Sequence, residues 1–216
     1  MALIQVALDT LDFHKTVKLA TAVAPYVDII ELGTPCIKYN GIEIVSTLRV
    51  LLPNKKIMAD LKTMDAGFYE AKPFYEAGAD IVTVLGAADM GTISGVIEAS
   101  KLRPNAWAQV DLLNVANKVE ISKQLFNLGA HVVGIHTGLD QQAAGQTPFE
   151  DLRNVSYLRH PRFPFKISVA GGINKDTVTL AIGAGADIVV VGAAIYGAED
   201  PVQAAAEIKN RVESVS

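Results

Sequence analysis

Eight short runs of apolar and largely β-branched residues recur along the 216-residue chain, separated by longer segments. The runs are almost continuously apolar, which is typical of parallel strands that are buried on both faces. The longer segments carry apolar residues at spacings of three and four, which predicts amphipathic helices. The predicted strands occupy residues 3–9, 27–32, 56–61, 81–85, 106–112, 131–136, 165–169 and 188–191. We therefore expect a single α/β domain over residues 1–216.

The two halves of the chain also resemble each other. The sequence GADIVTVLGAA at 78–88 is echoed by GADIVVVGAA at 185–194, at an offset of 107 residues (185 minus 78). A closed (β/α)8 TIM barrel, in which the fourth and eighth units are equivalent, explains this echo better than an open doubly wound sheet. Two helices have start signals in which a capping residue precedes a proline, namely Thr147-Pro148 and Asp200-Pro201.

The composition excludes several classes of partner. The chain has 19 basic and 23 acidic residues, a net charge of −4, whereas nucleic-acid binding normally needs a basic face. The longest uncharged run near the C-terminus, residues 188–198, is well short of the roughly 18 residues of a membrane span. A single cysteine, Cys36, excludes an internal disulfide and a cysteine-rich zinc site. We therefore expect a cytoplasmic protein without a nucleic-acid or membrane partner, and the strand-like N-terminus does not predict a signal peptide.

Polar and charged residues follow the apolar runs at corresponding points of their units. In a (β/α)8 barrel the chemistry lies at the carboxyl ends of the strands, so these residues should meet around one site. Bringing many ionisable groups together in a partly dry cavity costs several kcal/mol unless a cation or a substrate offsets the cost. The residues are Asp9, Glu31, Asp60, Lys62 just after the third strand, Asp111 and His136.

Glu31 and Asp60 are predicted to lie on adjacent strands. Hard carboxylate oxygens without histidine or cysteine suit Mg²⁺, which keeps several waters and takes only one or two carboxylates. Zinc is disfavoured because the chain has four histidines and no spaced pair of ligands. The pair predicts a magnesium site, and the alternative is a buried hydrogen-bonded network without a metal.

His136 is the histidine that we predict at the carboxyl end of a strand. His131 begins the same strand, at the opposite end of the barrel, while His14 and His160 are expected on a helix surface and in a loop. An imidazole with an ordinary pKa of about 6.5 suits proton abstraction at neutral pH. Its predicted position beside the carboxylates makes His136 the candidate base.

Small residues follow the seventh and eighth strands. Gly171 and Gly172 follow the seventh strand, and Gly192 and Ala193 follow the eighth. Such loops let backbone N–H groups approach an anion closely, and this is where such barrels commonly bind phosphate. Because neither loop contains lysine or arginine, we expect a phosphate group to be held mainly by backbone amides.

Taken together, these residues resemble the orotidine-5′-phosphate decarboxylase suprafamily over nearly the whole chain. The most specific piece is the Asp-x-Lys-x-x-Asp pattern of Asp60, Lys62 and Asp65. The other pieces are QVALD at 5–9, VDIIELGTP at 27–35, ADLKTMDAG at 59–67, HTGLDQQ at 136–142, VAGG at 169–172 and GAEDP at 197–201.

The resemblance implies a Mg²⁺-dependent homodimeric enzyme that acts on a sugar phosphate through a 1,2-enediolate. It implies metal ligation by Glu31 and Asp60 and proton abstraction by His136. It further implies that Asp9 and Lys62 contact substrate oxygens. Asp111 matches an acidic position of the family, and Asp65 would reach into the active site of the partner subunit.

Within the suprafamily the sequence is most similar to the 3-hexulose-6-phosphate synthases. Those enzymes condense formaldehyde with D-ribulose 5-phosphate to D-arabino-3-hexulose 6-phosphate. The related 3-keto-L-gulonate-6-phosphate decarboxylases (KGPDC) have arginine where this chain has Leu139 and Ala193. The arginine region organises water for a protonation, so its absence favours a carbon electrophile. The alternatives are KGPDC activity, a pentulose-phosphate epimerase, and a non-catalytic sugar-phosphate-binding barrel.

Overall fold

The computed structural model describes residues 1–159 and 165–215. Within these residues eight parallel strands form a closed barrel in chain order, and β1 pairs with β8 to close it. His160, which we expected in a surface loop, lies outside the described residues. The strands are β1 Leu3–Leu8, β2 Ile29–Leu32, β3 Lys56–Thr63, β4 Ile81–Leu85, β5 Trp107–Asp111, β6 Val132–His136, β7 Lys166–Ala170 and β8 Ile188–Val191. The predicted TIM barrel is therefore confirmed, with strand ends shifted by at most two residues.

Helices connect the strands and cover the outside of the barrel, as the amphipathic segments predict. They are α1 Phe13–Val23, α2 Thr34–Asn40, α3 Glu43–Leu51, α4 Gly67–Glu76, α5 Met90–Ser100, α6 Lys118–Leu128, α7 Leu139–Ala143, α8 Phe149–Ser156, α9 Val178–Gly183, α10 Ala193–Tyr196 and α11 Pro201–Glu213. No helix in the described part of the chain is long and apolar enough to span a membrane.

One of the two predicted helix starts is confirmed and the other is wrong. The Asp200 side chain accepts hydrogen bonds from the backbone N–H groups of Val202 and Gln203, and Pro201 begins α11. In α8 the helix begins at Phe149, with Pro148 at the capping position and no side-chain cap. Because Pro148 stands one position earlier than predicted, Thr147 lies outside the first turn.

The third strand departs from the prediction at a functionally important point. We predicted that Lys62 follows the strand, but β3 continues to Thr63. The pairing of β3 with β4 shifts register between Ala59 and Thr63, and Lys62 has a left-handed backbone with φ 48°. Its N–H donates to the side-chain oxygen of Thr83 on β4 at 2.9 Å. This bulge sets the direction in which the Lys62 side chain leaves the strand.

Four residues at the amino ends of the even-numbered strands form a repeated structure that we call the strand clasp. Each lies immediately before its strand, and its side chain accepts a hydrogen bond from a backbone N–H of the preceding odd-numbered strand. The bonds run from Ile4 to Asp28 Oδ2 (2.8 Å), Ile57 to Asp80 Oδ2 (2.8 Å), Ala108 to His131 Nδ1 (3.1 Å) and Ile167 to Asp187 Oδ2 (2.8 Å). The clasp therefore joins the strands in four pairs, and in the third pair a histidine takes the place of aspartate.

The amino end of the barrel interior is closed by packed side chains. An apolar cluster that includes Ile29, Met58 and Ile81 fills the interior. The ammonium group of Lys56 lies 4.3 Å from the centre of the Trp107 ring, in cation–π geometry. Within the described residues, these side chains close the amino end, which leaves the carboxyl ends of the strands as the side from which a ligand would enter.

Candidate active site

A cavity of about 330 Å³ lies at the carboxyl ends of the strands, where the sequence predicted a site. Glu31 and Asp60, the proposed metal ligands, are both buried and face this same cavity. The six charged or titratable residues predicted to converge all line it, namely Asp9, Glu31, Asp60, Lys62, Asp111 and His136. The structure thus brings them together, while their individual roles remain predictions.

Asp60 is the most heavily hydrogen-bonded carboxylate of the site. Its Oδ1 accepts from Thr83 Oγ1 at 2.6 Å, and its Oδ2 accepts from Thr34 Oγ1 at 2.7 Å and from Lys62 Nζ at 2.5 Å. Lys62 Nζ also lies 3.2 Å from Asp111 Oδ2. Burial by itself would lower the pKa of Lys62, but Asp60, Asp111 and Glu31 outweigh burial and raise it above its ordinary value. Lys62 is therefore a fixed positive charge at neutral pH.

The surroundings of Glu31, unlike those of Lys62, disfavour its charged form. Burial, followed by the negative charge of Asp60, raises the pKa of Glu31 to about 8, although Lys62 and a hydrogen bond from Gln5 act in the other direction. Burial and the charge of Asp60 also raise the pKa of Asp9. The site therefore contains more negative charge than its one lysine neutralises, and a bound cation would stabilise it.

Asp111 and His136 form a hydrogen-bonded pair. Asp111 Oδ2 lies 2.8 Å from His136 Nδ1, and Asp111 Oδ1 accepts from the backbone N–H of Leu113 at 2.9 Å. Burial alone would raise the pKa of Asp111, but His136, Lys62 and the Leu113 N–H lower it to about 2. A permanently ionised Asp111 favours the tautomer with the proton on Nδ1, which leaves Nε2 of His136 free to accept a proton.

A second cavity of about 310 Å³ adjoins the first, and the two share Asp9, His136 and Tyr196 among their lining residues. All four residues predicted to hold a phosphate line it, namely Gly171, Gly172, Gly192 and Ala193. No lysine or arginine of the described chain lines this cavity.

Gly171 shows why this rim needs small residues. It has φ 108°, and a Cβ atom there would stand 2.4 Å from the carbonyl oxygen of Thr137. Any larger residue would therefore push the β7 loop away from the β6 loop and change the shape of the cavity.

Asp65 does not reach either cavity of its own chain. It is exposed in the loop after β3, and its Oδ1 accepts from the backbone N–H of Ala66 at 2.7 Å. The neighbouring apolar residues Met64, Phe68 and Tyr69 are also exposed. The exposed position of Asp65 is therefore compatible with its predicted contribution to a partner's site.

The sequence alone assigns no role to several residues of the site. Gln5 and Gln109 are buried on β1 and β5, Thr34 and Thr83 bind Asp60, and Tyr196 lines both cavities. A polar residue inside an otherwise apolar run was the available signal for Gln5, Thr83 and Gln109. Thr34 and Tyr196 lie in loop or helix positions that carry no such signal.

The sequence assigns no role to Cys36 and Lys38, which lie on α2. Cys36 is buried and Lys38 is exposed on α2, and neither lines either cavity. The Cys36 sulfur accepts a hydrogen bond from Asn40 Nδ2 at 3.6 Å, which indicates a packing role.

Known proteins resemble this chain over nearly its full length. Residues 2–208 match the sequence profile of the orotidine 5′-phosphate decarboxylase / HUMPS family. The chain is 61% identical over 208 residues to a protein named 3-hexulose-6-phosphate synthase from Methylomonas aminofaciens, which covers 96% of this chain and 98% of that protein.

Solved structures agree with this similarity. The crystal structure of 3-hexulose-6-phosphate synthase from Salmonella typhimurium is 36% identical with a TM-score of 0.93, over 99% of this chain and 100% of that one. A ligand complex of KGPDC from Streptococcus mutans is 29% identical with a TM-score of 0.91, over 99% of this chain and 98% of that one.

The relatives named synthase are therefore more similar to this chain than the KGPDC structure is, which favours the synthase over the decarboxylase. The predicted resemblance is confirmed by the family profile and by the 61% identity. The chain belongs to the orotidine 5′-phosphate decarboxylase / HUMPS family.

Proposed function

We propose that the chain is a 3-hexulose-6-phosphate synthase, which condenses formaldehyde with D-ribulose 5-phosphate to D-arabino-3-hexulose 6-phosphate. One observation carries the proposal. The Asp111–His136 pair stands beside Lys62 and two buried carboxylates, in a chain that is 61% identical to a protein of that name. The arrangement combines a base, a fixed cation and a candidate metal site in one cavity.

The two adjoining cavities suggest how the sugar phosphate lies. Its phosphate would occupy the smaller cavity, where Gly171, Gly172 and Gly192 let backbone N–H groups come close. The sugar chain would then extend into the larger cavity toward His136 and Lys62. Asp9 lines both cavities and would accept a hydrogen bond from a sugar hydroxyl.

Proton abstraction falls to His136. Its Nε2 would remove a proton from C1 of ribulose 5-phosphate, while Asp111 holds the Nδ1 proton and stabilises the imidazolium that results. The Lys62 ammonium would stabilise the enediolate charge. C1 then attacks the carbon of formaldehyde, a carbon–carbon bond forms, and the formaldehyde oxygen takes up the proton that left C1.

The two buried carboxylates fit a magnesium ion. Glu31 and Asp60 lie on neighbouring strands and offer hard oxygen ligands, and burial followed by the negative charge of Asp60 raises the pKa of Glu31. Among the described residues no group of three or more His, Cys, Asp and Glu could hold a metal ion, so water and sugar oxygens would complete the coordination. Bound Mg²⁺ would supply Lewis-acid stabilisation of the enediolate.

We further propose that two chains assemble and share their active sites. Asp65 is exposed beside the apolar residues Met64, Phe68 and Tyr69, a surface that a second copy would cover. In such a homodimer Asp65 would complete the partner's site instead of its own. The reducing cytoplasm remains the expected location, since the single cysteine is buried and free.

The decisive assay supplies ribulose 5-phosphate, ¹³C-formaldehyde and Mg²⁺ and follows the label by NMR. The proposal expects the label in the C1 hydroxymethyl group of a new hexulose phosphate, and loss of turnover in excess EDTA. The His136→Ala variant, checked for folding by circular dichroism, serves as the control. Release of CO₂ from 3-keto-L-gulonate 6-phosphate without condensation would favour KGPDC. Binding of ribulose 5-phosphate without exchange of its C1 proton in D₂O would favour a non-catalytic barrel.

A further inference from the structure

Gln5 is a buried amide that the proposed mechanism does not use. It is fully buried on β1 and lines the larger cavity beneath Asp9. Its Nε2 donates one hydrogen bond to Glu31 Oε2 at 2.7 Å and another to Met58 Sδ at 3.1 Å. Gln5 thus bridges the three strands β1, β2 and β3 at the level of the proposed metal site.

The orientation of this amide is fixed by its partners. In the ionised state that a metal ligand requires, Glu31 is a hydrogen-bond acceptor, as is Met58 Sδ, so a flipped amide would bring a carbonyl oxygen against a carboxylate and a thioether. The observed orientation leaves Gln5 Oε1 buried and without a partner among the described residues. A buried carbonyl oxygen without a hydrogen bond is unfavourable. The hydrogen bond from Gln5 Nε2 to Glu31 therefore outweighs this cost and determines the orientation of the amide.

The consequence concerns the two oxygens of Glu31. Gln5 occupies Oε2, whereas Oε1 has no hydrogen bond to any residue of the described chain. Gln5 and Ala7 are on the same face of β1, and Ala7 pairs directly with Glu31, so the amide reaches the carboxylate diagonally from below. Ala7 itself offers no polar group, which leaves Gln5 to set the carboxylate's rotation.

We propose that Gln5 is a positioning residue that holds Glu31 Oε2 and thereby presents Oε1 to a divalent cation. This inference rests on the proposed magnesium site. Outer-shell partners of metal ligands typically change metal affinity about 10- to 100-fold when removed. The same range is expected for Gln5.

The test measures metal binding without substrate. Mn²⁺ binding to Gln5→Met is followed by electron paramagnetic resonance, with Mg²⁺ as competitor, because methionine keeps the length and removes both donors. The matched control is Gln109→Met. Gln109 is also buried, lines the same cavity and has an unpartnered Oε1, but no hydrogen bond joins it to Glu31 in the described structure.

We expect Gln5→Met to bind Mn²⁺ about 10- to 100-fold more weakly than wild type and Gln109→Met to bind it within about threefold. Equal affinity of wild type and folded Gln5→Met would overturn the inference. Should Gln5→Met fail to fold, Gln5→Asn replaces it, since its amide is one methylene too short to reach Glu31. An Asn variant with wild-type affinity would also overturn the inference. Absence of Mn²⁺ and Mg²⁺ binding by wild type would instead remove the proposed metal site itself.

Discussion

The histidine of the strand clasp predicts a pH-dependent term in stability. His131 Nδ1 accepts a hydrogen bond from the Ala108 N–H, which requires the neutral imidazole. In the equivalent positions Asp28, Asp80 and Asp187 are acceptors at neutral pH. Protonation of His131 would place a hydrogen on Nδ1, facing the N–H of Ala108, so that neither group could accept. Acid should therefore break this hydrogen bond and leave the three aspartate bonds of the clasp intact.

The direction in which stability changes with pH follows from the pKa of His131. Burial lowers the pKa of His131 below its ordinary value, so the unfolded chain binds the proton more readily than the folded protein does. The contribution of His131 to stability is therefore complete above the unfolded pKa of about 6.5 and is lost progressively as the pH falls through that value. Below the folded pKa the loss is complete and the term becomes constant.

The magnitude follows from a single backbone hydrogen bond. Leaving a buried donor unsatisfied costs about 1–3 kcal/mol, and because the imidazole is only half-buried we expect about 1 kcal/mol. In a chain of this size that corresponds to a shift of about 2–4 °C in melting temperature. The matched variant is His131→Asn, which keeps an acceptor of the same geometry as the three aspartates and cannot titrate.

The assay compares urea unfolding of wild type and His131→Asn from pH 8 to pH 5. All other titrations are common to both proteins and cancel in the difference. We expect wild type to lose about 1 kcal/mol relative to the variant over this range. His131→Ala should be less stable than wild type at pH 8 and approach it at pH 5. A difference between wild type and His131→Asn that does not change with pH would refute the reasoning.

Two predictions concern the active site. Asp111→Asn should lower kcat by about 10²-fold or more, with a smaller change in KM, because a neutral amide no longer favours the tautomer that leaves His136 Nε2 unprotonated. Steady-state kinetics measures both constants. An unchanged kcat would contradict the role of the Asp111–His136 pair. Asp65→Ala and His136→Ala, each inactive alone, should together recover up to about 25% of wild-type activity after mixing and refolding, since half of the proposed dimers would be mixed and each of these would have one intact site. No recovery, with size-exclusion light scattering showing dimers, would place Asp65 outside the partner's site.

The sequence predicts the barrel well because the burial of each strand is visible in the local pattern of apolar residues. Near-continuous apolar runs identify parallel strands buried on both faces, and the strand ends then place Asp9, Glu31 and His136 at one rim without knowledge of any contact. The half-chain echo even contains Asp80 and Asp187, two members of the strand clasp. Their function in the clasp could not be predicted, because it depends on which backbone N–H the neighbouring strand presents.

The sequence predicts the site less completely than the barrel, because contacts between strands are not visible in a local sequence pattern. Lys62 was placed after its strand because a local pattern does not reveal a register shift between two strands. Gln5 and Gln109 look like interruptions of apolar runs, and their contacts emerge only when the barrel closes. Polar residues within buried strands are therefore the part of such a sequence that warrants a functional hypothesis before the structure is known.

The charged and polar groups at the two ends of the barrel differ in whether the folded chain satisfies them. At the amino end each clasp carboxylate accepts a backbone N–H and Asp80 also pairs with Arg103 at 3.1 Å, so these charges are satisfied in the folded chain. At the carboxyl end the pKa of Glu31 is raised and the oxygens of Gln5 and Gln109 lack partners among the described residues, so the folded chain alone leaves polar groups unsatisfied. A ligand that binds this end of the folded barrel, and not the unfolded chain, stabilises the folded state by an amount that grows with its concentration relative to its Kd. Metal and sugar phosphate should therefore raise the melting temperature, whereas substitutions that remove an acceptor from the clasp should lower it with little effect on ligand affinity.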